Sequence, residues 1–413
     1  MQKKIFPAAV LAGIFAGMLA GAASAADPVE SKAPWSQRMA DSILVRQPKG
    51  IMIEGRTANP VPKWSYSVAF AVRSVAEVGV ATKAAGKPGA DKYINYAKDY
   101  MSNFINDQGV IDPRYYKVDE YQLDSIAPGQ TILLLAHETG EEEYRKAAVN
   151  LAKQLETQPR VPEGGFWHKK IYPNQMWLDG IFMDGPFMAR LAVETTEKKY
   201  VDDIANQILL LAAHAQDPAT GLCYHAWDSS KAERWADPKT GLSKNFWGRG
   251  MGWYLAGIVE TLDYLPENHP KRTEIIQVLQ KAAAGVEKVQ DAKTGLWYQV
   301  LDQGDRAGNY FESSASCMFV YVLAKAARKG YVDTHFRDVA KKGHDGILAK
   351  MIEVEAGTGL VTLKDTCQVA GLGGSPYRDG TYEYYLREPR VSNDPKGMAP
   401  FILASLELER PVP

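Results

Sequence analysis

An all-α fold, an (α/α)6 barrel of six helical hairpins, is what the sequence predicts, on three observations. Apolar residues recur with a period near 3.6 along most of the chain and rarely with a period of 2. Short links alternate with long loops rich in Gly, Pro and aromatic residues, so the helices come in pairs. The long loops also repeat a pattern, the mark of a repeated supersecondary unit.

The periodic segments are 35–47, 64–82, 90–106, 123–138, 141–157, 177–194, 198–215, 248–265, 268–289, 313–329, 333–349 and 395–409, with edges open by several residues. "ETGEEE" after His137 and "ETTEKK" after Val193 are short links within pairs. "DPATGLCYHAWD" from Asp217 and "DAKTGLWYQVLD" from Asp291 share D-x-x-T-G-L-x-Y-x-x-x-D, and "GVIDPRYYKVDE" from Gly109 is a looser relative. Six pairs of this kind place inner helices about an axis, outer helices around them and the long loops at one mouth. An open α-solenoid is the competing architecture, although its repeats are usually shorter and more regular.

Residues 1–25 stand apart. "MQKK" is cationic, an apolar run follows, and "ASA" ends at Ala25, which together read as a secretory signal peptide with the mature chain starting at Ala26. An uncleaved anchor is the alternative. The expected organisation is a signal peptide, 1–25, and a single barrel domain, 26–413, in a protein that is periplasmic or secreted and has no membrane partner once the signal is removed. The chain is 46% hydrophobic and 23% charged, and its formal net charge of -1 gives no global field to attract nucleic acid. Cys223, Cys317 and Cys367 are widely spaced and odd in number, which excludes a full disulfide framework and metal-ligand spacing. They read as small buried hydrophobes.

Two acids interrupt the apolar run "QMWLDGIFMDGPFMARLA": Asp179 in the first turn of its helix and Asp184 further in. On an inner helix an acid at the start either caps the helix or faces substrate at the mouth. Asp184 reads either as a support behind the residues that touch substrate or as a structural hydrogen-bond acceptor. "YQLDSIAPGQTILLL" sets Asp124 in a similar place, again with a capping alternative. Loops nearby supply Trp167, His168 and Lys169 in "GGFWHKK", His225 in "CYHAW", and Arg249 and Trp253 in "FWGRGMGWY". Arg grips a carboxylate through two parallel hydrogen bonds and Trp offers a flat face to a sugar ring, so the set suits an anionic carbohydrate.

"MWLDGIFM", "WGRGMGW" and "DGTYEYYLREPRVSNDPKGMAPFILA" resemble the unsaturated rhamnogalacturonyl hydrolases of glycoside hydrolase family 105, and more distantly the unsaturated glucuronyl hydrolases. The resemblance covers nearly the whole mature chain. It implies an (α/α)6 barrel that needs no metal or other cofactor, acting on oligosaccharides that end in a 4,5-unsaturated galacturonic or glucuronic acid. It makes Asp179 the general acid and base and Asp124 its partner, with His168, His225, Arg249 and Trp253 contacting substrate, Trp177 beside the acid and Tyr66 as an aromatic contact; Lys169, from the loop reading, joins them as a substrate-binding candidate. In "FESSASC" the chain departs from the family's usual Gly- or Thr-containing version, which leaves the wall near Glu312 and Ser316 open. The implied reaction hydrates the C4=C5 double bond, for which Asp179 is expected to have a pKa raised by burial and by Asp124. An inverting glycosidase or uronate lyase on the same barrel, or a periplasmic sugar-binding protein, are the competing functions.

Overall fold

A computed structural model describes residues 32–48 and 62–411. The signal peptide expected over 1–25 lies outside the described residues. Six helices ring one axis: α2 (Tyr66–Ala84), α4 (Pro128–Thr139), α6 (Leu178–Thr195), α8 (Gly248–Thr261), α10 (Ser313–Arg328) and α13 (Pro395–Glu409). Each packs on the next, and α13 returns onto α2. The ring therefore closes, which removes the open solenoid.

The outer layer is α1 (Trp35–Arg46), α3 (Asp91–Met101), α5 (Glu142–Thr157), α7 (Lys198–Ala215), α9 (Arg272–Lys288) and α11 (Phe336–Lys350). Helices α3, α5, α7, α9 and α11 back α2, α4, α6, α8 and α10 in turn, whereas α1 backs α13. Ser36, at the start of α1, donates from its backbone N–H and its hydroxyl to Glu409 at the end of α13, so the first helix and the last form the sixth pair.

The layers differ as their sequences do. Every residue of α8 is buried, and so is α10 from Ser313 to Ala327, because an inner helix meets neighbours on all sides. Outer α9 buries one stripe, Ile275, Leu279, Ala282, Ala283 and Val286. Close packing of the inner ring needs small residues: a Cβ on Gly257 would lie 2.6 Å from the Ile181 carbonyl oxygen, so α8 meets α6 backbone to backbone there. Pro186 inside α6 has no N–H for the carbonyl of Phe182, and Gln130 Nε2 donates to that oxygen at 2.6 Å instead.

All twelve periodic segments are helical in their larger part. The segment 123–138 splits, with a 3-10 turn at Leu123–Ser125 ahead of α4, and α12 (Tyr382–Arg387) is an addition too short to show a period. The mouth loops carry three small antiparallel ribbons: β1 (Gln175–Trp177) with β2 (Ala226–Asp228), β3 (Ile352–Val354) with β4 (Val361–Leu363), and β5 (Thr366–Cys367) with β6 (Arg390–Val391). The repeated D-x-x-T-G-L stretch is one turn used three times. Asp217, Asp237 and Asp291 each accept two backbone N–H groups and a Thr hydroxyl through Oδ1, and the following Gly has φ of 80°, 82° and 74° in turn.

Candidate active site

Backbone ladders at the mouth bring the acids and histidines together. Leu178, the first residue of α6, donates its N–H to the His225 carbonyl at 3.0 Å, and Trp177 lies opposite Ala226 in the ribbon. Asp179 and His225 are thereby adjacent. On the other side, Leu123 N–H donates to the His168 carbonyl at 3.1 Å, His168 N–H to the Gln175 carbonyl at 2.8 Å, and Gln122 bridges Lys169. This sets His168 and Lys169 against Asp124. Helix starts contribute the rest: Tyr66 opens α2, Arg249 is the second residue of α8 and Glu312 precedes α10.

Asp179 Oδ2 faces His225 Nε2 at 3.4 Å, a long contact, and neither atom has any other partner in the protein. Asp124 Oδ1 lies 3.4 Å from His168 Nε2, and its Oδ2 accepts from Lys169 Nζ at 2.6 Å. The capping readings fall away: no side chain caps α6 or α4, and Asp124 sits in the turn before α4. Asp179, Asp124, His168, Lys169, Trp177, His225, Arg249, Trp253 and Tyr66 thus gather at one mouth. Asp184 does not. It is buried near Asp203 of α7, and its Oδ1 has no partner.

The electrostatics of Asp179 reverse the expectation. Burial pushes its carboxyl up, but the facing His225, with His168 and Arg249, outweighs this and holds it below the ordinary aspartate value. Asp124 is instead paired with Lys169 and lies beside His168. His168 is itself pushed down to about 4, by burial first, and is neutral at working pH.

The two tryptophans also correct the expectation. Trp177 is sandwiched between His168, 4.8 Å away, and Tyr172, 4.9 Å away, both nearly parallel to it. Trp253 is fully buried against Phe182 and Phe70, with Tyr66 edge-on at 6.1 Å. Neither offers an open face to a pyranose; what Trp253 retains is a buried Nε1–H without a partner. Arg249 is buried over Trp247, with Nη1 donating to the Cys367 carbonyl and to Ser314 Oγ, while its Nε has no partner. The open wall near Glu312 and Ser316 is structural. Glu312 caps α10 through Ser314 and Ala315 and takes the Cys367 N–H, and Ser316 Oγ accepts from Trp297 N–H.

His168 Nδ1, Arg249 Nε and Trp253 Nε1 are buried polar atoms without protein partners, and Asp179 Oδ2 and His225 Nε2 have only their long contact with each other. Such orphans are uncommon, and this concentration at one mouth marks a place for a polar ligand. Sequence reasoning missed Tyr385, whose hydroxyl is 2.8 Å from His225 Nδ1, along with Trp247, which packs on both. The tyrosine-dense "DGTYEYYLREPR" was the only signal for it. A cavity of about 290 Å3 opens at the far end of the ring, but Arg73, Lys325 and Arg328 there are paired with Glu260, Asp263 and Glu407, and no histidine lines it.

Comparison with known proteins places the chain in a family. The model of Glycosyl Hydrolase Family 88 matches residues 35–412. A C. acetobutylicum ATCC 824 structure described as a glycoside hydrolase from family 105 is 41% identical, with 91% of this chain and 99% of that one covered and a TM-score of 0.84. The unsaturated rhamnogalacturonyl hydrolase YesR of Bacillus subtilis is 28% identical over 271 residues, 64% of this chain and 71% of that protein. The unsaturated glucuronyl hydrolase of Bacillus sp. GL1, 15% identical with 91% of this chain and 96% of that one covered and a TM-score of 0.65, shares the fold. Matched over almost all of its described length, the chain belongs to glycosyl hydrolase family 88, is akin to family 105, and is a glycoside hydrolase.

Proposed function

We propose that this enzyme removes a 4,5-unsaturated uronic acid from the nonreducing end of lyase-generated oligosaccharides, rhamnogalacturonan fragments foremost, by hydrating the C4=C5 bond. The observation that carries this is Asp179: a buried carboxylate at a helix start, one oxygen with no partner beyond its long contact to His225, ringed by His225, His168 and Arg249. The surroundings suit an anion, since inner-helix starts converge on the mouth with their partial positive charge. The choice of rhamnogalacturonan leans on the YesR likeness alone.

An acid held below its ordinary value must take up a proton before it can give one. The substrate supplies the cause. A uronate carboxylate arriving beside Asp179 and sharing Arg249 places a like charge nearby, which raises the Asp179 pKa and couples protonation to binding. Asp179 then donates its proton to C4, and C5 becomes electron-poor with help from the ring oxygen. Water adds at C5 and returns a proton to Asp179. The resulting hemiketal opens and the aglycone leaves. Asp124, held by Lys169 and beside His168, orients the sugar hydroxyls and the water.

The test follows the ultraviolet absorbance of the conjugated uronate in a panel of lyase-treated polysaccharides, run in deuterated water. Loss of absorbance with one deuterium at C4 of the released keto sugar supports hydration. Gain of absorbance means a lyase, and release of an intact unsaturated sugar means attack at the anomeric carbon. Export is proposed as well: mass spectrometry on protein from its host should find an N-terminus near Ala26 or Asp27, and Met1 retained in the membrane fraction would refute it.

A further inference from the structure

Tyr385 lies on α12, outside the barrel helices, yet its hydroxyl is 2.8 Å from His225 Nδ1 in a fully buried contact. The opposite ring nitrogen, Nε2, faces Asp179 Oδ2 at 3.4 Å. The three side chains form a line from the helix that overlies the mouth to the proposed acid. Trp247 fixes the geometry, near-parallel to Tyr385 and 4.5 Å from the His225 ring, while Trp177 closes the other side edge-on at 5.4 Å. Other ionisable groups facing the line are His168, with Asp124 and Lys169 behind it, Arg249 from α8 with Glu312 beyond, and Tyr384, Cys367 and Arg378 around Tyr385.

Burial pushes the Tyr385 phenol well above its ordinary value, so the hydroxyl keeps its proton at any working pH. A phenol of this kind donates to an unprotonated imidazole nitrogen, and a neutral imidazole carries its single proton on the other one. We propose that Tyr385 is a positioning residue for this reaction, donating to His225 Nδ1 and so keeping the ring's proton on Nε2, from which it donates to Asp179 while Asp179 is a carboxylate. The inference rests on Asp179 being the acid. It gives the line a function in timing: the donor stabilises the carboxylate that accepts the proton of the attacking water, and that contact weakens when the incoming uronate drives Asp179 to its protonated form. No proton leaves Tyr385 or His225 in the cycle.

Two measurements test this. In the unmodified enzyme labelled with 15N-histidine, with the His225 signal assigned by its loss in His225→Gln, Nδ1 should be the unprotonated nitrogen at neutral pH. A proton on Nδ1 overturns the proposal. Tyr385→Phe keeps the ring stacked on Trp247 and removes only the hydroxyl. Its kcat should fall about tenfold, the worth of one hydrogen bond to a charged group, with KM within about twofold. The basic limb of its kcat/KM profile should move up by about half a pH unit, because Asp179 loses a fixed donor and is protonated more readily. A lower rate with an unmoved limb would mean a packing role and overturn the proposal. The proton position on His225 does not depend on catalysis, so an active Asp179→Asn enzyme would sink the proposed function while leaving that result standing.

Discussion

The two ends of the barrel both bury charge, and they do it in opposite ways. At the far end, Arg73 and Glu260 meet through two hydrogen bonds of 2.7 and 2.8 Å, Arg328 and Glu407 through two of 2.6 and 2.9 Å, and Lys325 pairs with Asp263 at 2.6 Å. Tyr321 adds a donor to Glu260. At the mouth, Asp179 and His225 face each other at 3.4 Å through atoms with no other partner, and Arg249, His168 and Trp253 each keep one unpartnered atom. The far-end arginines meet their opposite charges through bidentate contacts, with Arg73 Nε alone of that guanidinium left over, whereas at the mouth the acid and the imidazole facing it are the atoms left wanting. The comparison predicts that damage at the mouth costs activity and damage at the far end costs stability.

The largest effect should come from Asp179→Asn. The amide keeps the volume and removes the transferable proton, so kcat should fall by about 10²–10⁴ with the melting temperature nearly unchanged. Full activity would remove the mouth's special standing. At the far end, Arg73→Met leaves Glu260 buried without its ionic partner, and unfolding by urea should show a loss of about 3–5 kcal/mol. Its kcat/KM, measured on folded enzyme, should stay within about twofold. If activity collapsed and stability held, the two ends would have been assigned the wrong way round.

Arg249→Lys probes the mouth more gently. Lysine keeps the charge but cannot reproduce the planar fork that reaches the Cys367 carbonyl, Ser314 and a ligand together. We expect kcat/KM on the unsaturated uronide to fall about ten- to a hundredfold. A neutral saturated sugar competing for the site should bind equally well to both enzymes. Equal loss for both ligands would mean that Arg249 acts only by holding α10 and the Cys367 strand in place.

How much of this was legible in the sequence follows from range. Helices α5, α7 and α9 announce themselves because their period is local, and the inner helices because an unbroken apolar run of that length has few other homes. Closure of the ring, α13 against α2 and α1 against α13, joins residues more than 300 apart and leaves no local trace. Asp179, Asp124 and Arg249 stand at helix starts, where their position betrays them. The charge state of Asp179 does not, since it depends on His168, His225 and Arg249, which separate ladders deliver. Trp253 misleads for a related reason: on a helix buried all round, sequence cannot say which side meets the ligand. Tyr385 lies in a six-residue helix with no period to read.

The smallest expected effect concerns Asp184, the acid that shares a helix with Asp179 and belongs to neither end. Burial, and then the nearby Asp203, pushes its carboxyl well above the ordinary range, and Oδ1 has no partner. An acid whose folded pKa lies above its unfolded value stabilises most below the unfolded value. As pH rises from about 4, the unfolded chain releases this proton more readily than the folded one, so stability drains away until the folded group also ionises. Asp184→Asn has no such proton. Its stability relative to the natural enzyme should therefore grow between about pH 4 and pH 7, reaching about 1 kcal/mol, the low end of what an unsatisfied buried polar group costs. Urea unfolding at several pH values measures it, and kcat/KM should not change. A stability difference that stays flat with pH would mean that Asp184 is satisfied as a carboxylate. The mouth would then be the one place on α6 where an acid is kept waiting for a partner.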